Sequence, residues 1–237
     1  MDGAAYASLS RQMGLWREMD IVANNIANAA TTGYRQEGLI FSEFVKASPD
    51  GRSLSMGNGN VRNTSFQQGA VTQTGGNLDF AIEGDGFFLI ETPVGERLTR
   101  AGNFSVSAQG DLVTPDGLRV LDAGAAPIFV PPDAGPIAVS SDGTISAEGR
   151  LLGQIGIVTP IDRLSMVRED GVMFAAEAGF EESQDSRVLQ GFVESSNVNA
   201  ISAIARMIEV QRAYELGQSF LDSENQRVRD ALRSFTK

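Results

Sequence analysis

Apolar residues near the start of the chain recur at steps of three and four: Tyr6, Leu9, Met13, Trp16, Ala23 and Ala27, with Asp20 as the one polar interruption. A second stripe, Leu15, Met19, Val22, Ile26 and Ala29, runs beside it. This spacing predicts an amphipathic helix of about four turns or more with heptad-like character. Thr31, Thr32 and Gly33 are expected to end it, Gly33 suiting a left-handed C-terminal position. The other end of the chain repeats the pattern at greater length. Ala203, Met207, Val210, Tyr214, Gly217, Leu221, Glu224, Val228, Ala231 and Phe235 alternate steps of four and three, and Ile201, Ile204 and Ile208 widen the stripe at its beginning. A helix over 203–235 would be roughly 48 Å long at about 1.5 Å per residue. Such a helix has no core of its own in a small globule. The N-terminal helix is the other long one predicted, so the two ends are expected to meet as an antiparallel or staggered coiled coil. Two core helices of an ordinary α+β domain are the alternative.

Between the ends the pattern changes to short runs of Val, Ile, Phe and Leu separated by Asp-Gly or Gly-Asp turns. Phe87–Ile90, Leu112–Thr114, Arg119–Leu121, Ile137–Val139, Thr144–Ser146 and Leu151–Val158 are the predicted strands. Turns every seven to twelve residues mark a β-sandwich, barrel or meander. Pro127, Pro131, Pro132 and Pro136 exclude helix there. The expected fold is α+β: long terminal helices forming a coiled-coil-like unit, an inserted all-β domain, and extended arms. Residues 1–33 and 195–237 would form the helical domain, 34–76 and 181–194 the arms, and 77–180 the β-rich domain.

The 237 residues are enough for one large domain or two ordinary ones. The formal net charge is −11, and residues 34–194 carry all of it, with 11 Lys/Arg against 22 Asp/Glu. An acidic surface repels phosphate, which argues against a nucleic-acid binder. The near-neutral ends suit close packing against copies or neighbours. With no Cys and no His, disulfide scaffolds, the usual zinc sites, thiol nucleophiles and Ser-His-Asp arrangements are excluded. Asp85, Asp111, Asp116 and Asp142 sit singly beside Gly and read as turn residues rather than calcium ligands. No metal, cofactor or catalytic residue is expected. Arg97 and Arg100, flanking Leu98-Thr99, read as a solvated edge. No run approaches the roughly 18 apolar residues of a membrane helix. The charged residues Arg11, Arg17, Glu18 and Asp20 fall where a Sec signal would be apolar. On the residues alone, cytoplasm and non-Sec export both stay open.

The strongest local signal is Ala23-Asn24-Asn25-Ile26-Ala27-Asn28 followed by Thr31-Thr32-Gly33-Tyr34-Arg35. Three Asn in five positions weaken a helix interior, so they need either capping work or partners on a neighbouring chain. Three further blocks follow. One comprises Thr74-Gly75-Gly76-Asn77-Leu78-Asp79-Phe80-Ala81-Ile82-Glu83-Gly84-Asp85-Gly86-Phe87-Phe88. Another is Leu98-Thr99-Arg100-Ala101-Gly102-Asn103-Phe104, with Gly110-Asp111-Leu112-Val113-Thr114 after it. The last joins Gly191-Phe192-Val193-Glu194-Ser195-Ser196-Asn197-Val198-Asn199 to Ile208-Glu209-Val210-Gln211-Arg212-Ala213-Tyr214-Glu215. In this order the blocks resemble the flagellar rod, hook and hook-associated axial proteins, and most of all the basal-body rod family, proximal-rod type. Distal-rod relatives are usually somewhat longer. Gly75-Gly76-Asn77-Leu78 departs from the usual Gly-Asn-Pro-Leu form, and Phe192-Val193 stands where a Leu is common.

The resemblance implies a structural subunit, not an enzyme, assembling with other rod proteins and copies of itself into a torque-transmitting hollow shaft. Its terminal helices would form the inner wall and its β-domain would lie outside. It implies export by the flagellar type III apparatus without a cleaved signal, and residence in the rod crossing the periplasm. Candidate packing residues are Leu9, Met13, Trp16, Val22, Ile26, Met207, Val210, Tyr214, Leu221 and Val228. Asn24, Asn25, Asn28, Asn197 and Asn199 are candidates for polar contacts that set register, as single polar groups do in coiled coils. A carbohydrate-cleaving enzyme using Glu83 or Asp85 is the competing class. It is disfavoured by an aromatic content of 7% and a single Trp, which lies in the helical stripe. A secreted adhesin or effector would leave the paired heptads without purpose.

Overall fold

The computed structural model describes residues 2–47, 53–131 and 133–235. The chain forms two compact units. The helical unit takes residues up to 29, residues 36–66, and residues from 198 onward. The β unit takes residues 30–35 and 67–197.

The helical unit contains α1 (Asp2–Ala27), the strands β1 (Glu37–Ala47) and β2 (Ser53–Thr64), and α2 (Ala200–Phe235). The strands pair antiparallel, with a register shift between Ile40 and Phe41. A bulge of this kind bends and twists the ribbon. α1 approaches the ribbon closely at Gly14, where an added Cβ would stand 2.6 Å from the Phe41 ring. The Arg17 guanidinium donates to the Gly59 carbonyl from the same helix, at 3.0 Å. The two helices run antiparallel. Gln12 donates to the Tyr214 carbonyl at 3.2 Å, and one turn and a half further along α1 Glu18 meets Arg206.

The β unit begins with β3 (Val71–Gln73), β4 (Phe80–Glu83), β5 (Phe87–Thr92), β6 (Gly95–Thr99), β7 (Ser105–Val106), β8 (Leu112–Val113) and β9 (Val120–Leu121). It continues with β10 (Ile137–Val139), β11 (Thr144–Ala147), β12 (Arg150–Gln154), β13 (Ile157–Pro160), β14 (Met166–Asp170) and β15 (Met173–Ala176). It closes with β16 (Phe180–Glu182), β17 (Arg187–Gln190) and β18 (Phe192–Glu194). The main sheet runs β14-β15-β6-β5-β13-β16, with β9 also on β5. β10-β11-β12 form a smaller sheet, and the late strands β17 and β18 return to pair with the early strands β4 and β3. One apolar core cluster of this unit includes Phe80, Ile82, Phe88, Ile90, Phe104, Leu112, Val120 and Ile145. Phe88 and Phe104 meet edge-on at 5.2 Å between centroids. This is the α+β arrangement expected, with a helix at each end and a β-rich middle. The stretches read as arms, 34–76 and 181–194, hold the β1–β2 ribbon, β3, β17 and β18.

Three local expectations need correction. The run Leu151–Val158 is not one strand: it breaks at Ile155-Gly156, whose amides bond to Gly143 and Leu121 carbonyls instead of continuing the β11 ladder. α1 ends at Ala27, before the Thr-Thr-Gly run. Gly33 is left-handed (φ +70°), but it serves the β unit: its amide donates to the Glu194 carbonyl at 2.7 Å. Arg100 is no solvated edge, being 3% exposed, and Arg97 pairs with Glu169. Of the four Asp read as turn residues, Asp142 shows the contact directly, and Asp122, outside that set, makes a similar one. Asp142 accepts from the Thr144 amide and hydroxyl, and Asp122 from the Gly124 and Ala126 amides. Asp85 does more, forming an ion pair with Arg163 at 2.8 Å.

Candidate assembly interface

On α1 the two apolar stripes have different fates. Leu15, Ile21 and Val22 are buried within the helical unit. Leu9, Met13 and Trp16 point away from it and are 48%, 58% and 62% exposed. Ile26 and Met19 are half-buried. On α2, Ala203 and Val210 are buried, while Met207, Tyr214 and Leu221 are half-buried. Ile201, Ile204, Ile208, Leu216, Phe220, Val228 and Leu232 are exposed. A groove lined by Leu15, Ala213, Leu216, Gly217 and Phe220, with Arg11 and Gln12 at its edge, lies between the helices. Each helix therefore uses one face inside the unit and leaves another apolar face in water.

Polar contacts fasten the internal face. The Glu18 carboxylate, mostly buried, accepts from both Nε and a terminal nitrogen of Arg206, at 2.7 and 2.6 Å. Those hydrogen bonds, ahead of any other influence, hold the Arg206 guanidinium above its ordinary pKa. This pair sits half in solvent, so its contribution is modest, about 1 kcal/mol.

The five asparagines are used within the chain. Asn25 is buried and bonds both backbone groups of Glu37, donating at 2.7 Å and accepting at 2.9 Å. It thereby pins the start of β1 to the end of α1. Asn24 and Asn28 donate to the carbonyls one turn back, at 3.0 and 2.9 Å, which weakens the helix ladder and marks where α1 frays out. Asn199 caps α2, its side-chain oxygen accepting from the Ser202 amide at 3.0 Å. Asn197 donates to the Gln67 carbonyl in the β unit at 2.8 Å. Asn25 is thus committed internally, and each of the other four also has a partner within its own chain.

A second constellation was not anticipated. In the β unit, Glu194 holds two arginines: Arg35 at 2.7 Å and Arg100 at 3.2 Å, with all three side chains essentially buried. Burial pushes both guanidinium groups below their ordinary pKa, Arg100 to about 10, while the Glu194 charge pulls each back up. Arg100 also donates to the Ile82 and Gly84 carbonyls and stacks over the Phe87 ring at 5.1 Å. Among the described residues, its Nε and that of Arg35 have no hydrogen-bond partner. Arg168 lies between the Tyr34 and Phe174 rings and donates to the Arg35 carbonyl. The one signal of this cluster in the sequence was position: Arg35, Arg100 and Glu194 fall in three different blocks of the family pattern.

Comparison with known proteins agrees with that pattern. Residues 6–35 match the family described as flagella basal body rod protein. Residues 81–147 match the D1 domain of the flagellar hook protein FlgE/F/G, and residues 189–234 match the C-terminal part of the flagellar basal body rod FlgEFG protein. The flagellar basal-body rod protein FlgF of Caulobacter vibrioides is 42% identical over all of this chain and 99% of its own length. This chain belongs to the flagellar basal-body rod protein family. FlgF of Mesorhizobium japonicum is 38% identical over 91% of the chain and 90% of that protein. FlgG of Bacillus subtilis is 31% identical over 93% and 94%. As a member of this family the chain is a structural protein of the rod and not an enzyme. Its functional surface is accordingly a packing surface. No group of His, Cys, Asp and Glu among the described residues could hold a metal ion, and no described helix is long and apolar enough to cross a membrane.

Proposed function

We propose that the outward faces of α1 and α2 join this rod protein to copies of itself and to neighbouring rod proteins, building a hollow shaft that carries torque. The observation that carries this reading is the row Leu9, Met13 and Trp16, 48% to 62% exposed on a helix whose opposite face is already buried. Water penalises such a row, and a second helix relieves the penalty. α2 offers the complement in Ile204, Ile208, Phe220 and Val228. Packing of these stripes in coiled-coil fashion, continued from subunit to subunit, is a contact that repeats without closing. In this assignment Leu9, Met13, Trp16, Ile26, Met207, Tyr214, Leu221 and Val228 meet neighbours. Val22 and Val210 hold α1 to α2 inside the chain, and Asn24 and Asn28 flank the contact.

The proximal rod is the place proposed, because the identity to FlgF proteins, at 42% and 38%, exceeds that to FlgG of Bacillus subtilis, at 31%. Delivery through the flagellar type III apparatus to a rod crossing the periplasm belongs to the same reading and is supported by membership of the rod family.

Trp16→Asp tests the interface. The charge lands on the free face, so helix content and urea unfolding stay as in the parent protein. Sedimentation at assembling concentrations should then show a loss of self-association or rod incorporation of tenfold or more, on the order of 1.4 kcal/mol or above. Cells carrying only this variant should not swim. Normal motility would overturn the assignment of this face.

A further inference from the structure

We propose that the Glu194 carboxylate is a clamp that gathers the segments through which the chain enters and leaves the β unit, so that they are held or released together. The chain reaches this unit through residues 30–35, re-enters at 67, and leaves after 197. All three stretches converge on Glu194. From the first, Arg35 binds its Oε1 at 2.7 Å. From the second, the Gly69 amide donates to the same oxygen at 3.0 Å. The third carries Glu194 itself. Arg100, which directly follows β6 of the main sheet, sits on the other carboxylate oxygen and also donates to the Ile82 carbonyl of β4 at 3.2 Å.

Backbone bonds follow the same convergence. The Gly33 amide donates to the Glu194 carbonyl at 2.7 Å, the Ser195 amide to Ala70 at 2.8 Å, and the Asn197 amide to Tyr34 at 3.3 Å. Arg35 and the Asn197 side chain both donate to the Gln67 carbonyl.

The physics makes the clamp cooperative. A carboxylate removed from water is tolerated only while charge-assisted partners surround it, and each guanidinium here is equally dependent on the carboxylate. Losing one member leaves a buried charge behind, so the segments cannot come free singly at low cost. A pull on any one of them is then shared by the others and by the sheet. This inference concerns the β unit alone and stands whether or not the helical faces assemble as proposed.

The test is native-state hydrogen exchange on the full chain, comparing the parent protein with Glu194→Gln. The informative amides are Gly33, Ser195 and Asn197, none of which bonds the replaced carboxylate. In the variant they should exchange on the order of tenfold to a hundredfold faster, and together, approaching unprotected rates. Amides of β5 and β6 should remain protected well above them. Should Glu194→Gln not fold, Arg35→Gln decides, since it removes one arm and leaves the Arg100 pair: Gly33 and Asn197 should again exchange faster than the sheet. The clamp is refuted if those three amides keep their parental protection. It is equally refuted if they and the sheet open in one common step in parent and variant alike.

Discussion

At Gly33 the backbone sits at φ +70°, and an added Cβ would stand 2.2 Å from the Ala101 amide nitrogen. The backbone conformation disfavours any other residue, and the clash with backbone excludes one. Gly33→Ala should therefore cost about 2 kcal/mol or more in urea unfolding, combining left-handed strain with a clash against backbone that cannot turn aside. Asp142 supplies a prediction of opposite scale. Bonds from the Thr144 amide and then its hydroxyl hold its carboxyl below the usual pKa. A lowered folded-state pKa means the stabilisation is complete above the ordinary carboxylate range and is lost as pH falls through the lowered value. Asp142→Asn should remove that part of the acid dependence, and because the group is exposed the change in an acid-denaturation curve should be small. At this scale the sequence spoke clearly about turns, because Asp-Gly pairs act on their own backbone. It was mute about Arg100, which looks the same as Arg97 along the chain. What separates them is Glu194, ninety-four positions later and adjacent only after folding.

The two terminal helices were legible as elements because a period of 3.6 is a local property of the residues. Their stripes were legible too, but not which stripe faces inward. Trp16 and Val22 carry equal apolar weight in the pattern, yet one is 62% exposed and the other 7%. The closer packing of α2 and the β1–β2 ribbon on one side of α1 decides this, and Gly14 marks that side by admitting the Phe41 ring. Val210, 2% exposed, belongs to the internal contact. Val210→Asp should consequently damage the helical unit itself, burying a charge without a partner at a cost of about 3 kcal/mol or more. Limited proteolysis should cut α1 and α2 readily while residues 67–197 resist. Trp16→Asp should leave both resistant, and this contrast separates a face that builds the subunit from one that joins subunits. Strand boundaries were read well where a turn punctuates them. They were misread at Leu151–Val158, where an apolar run continues through a break made by distant carbonyls.

For the whole molecule, the pattern of helix, strands and helix follows from the chain alone, and so does the concentration of the −11 charge in residues 34–194. Hydrophobic period, turn chemistry and composition are carried by neighbouring residues, so they survive without knowledge of the fold. Other decisions belong to tertiary structure: the return of β17 and β18 to β4 and β3, the burial of two arginines on one carboxylate, the use of Asn25 to anchor β1, and the apolar row left on α1. Each depends on residues far apart in sequence competing for the same space and the same hydrogen-bonding partners. A linear pattern records which side chains seek burial, but only the folded chain determines which of them obtain it and which remain for a neighbour.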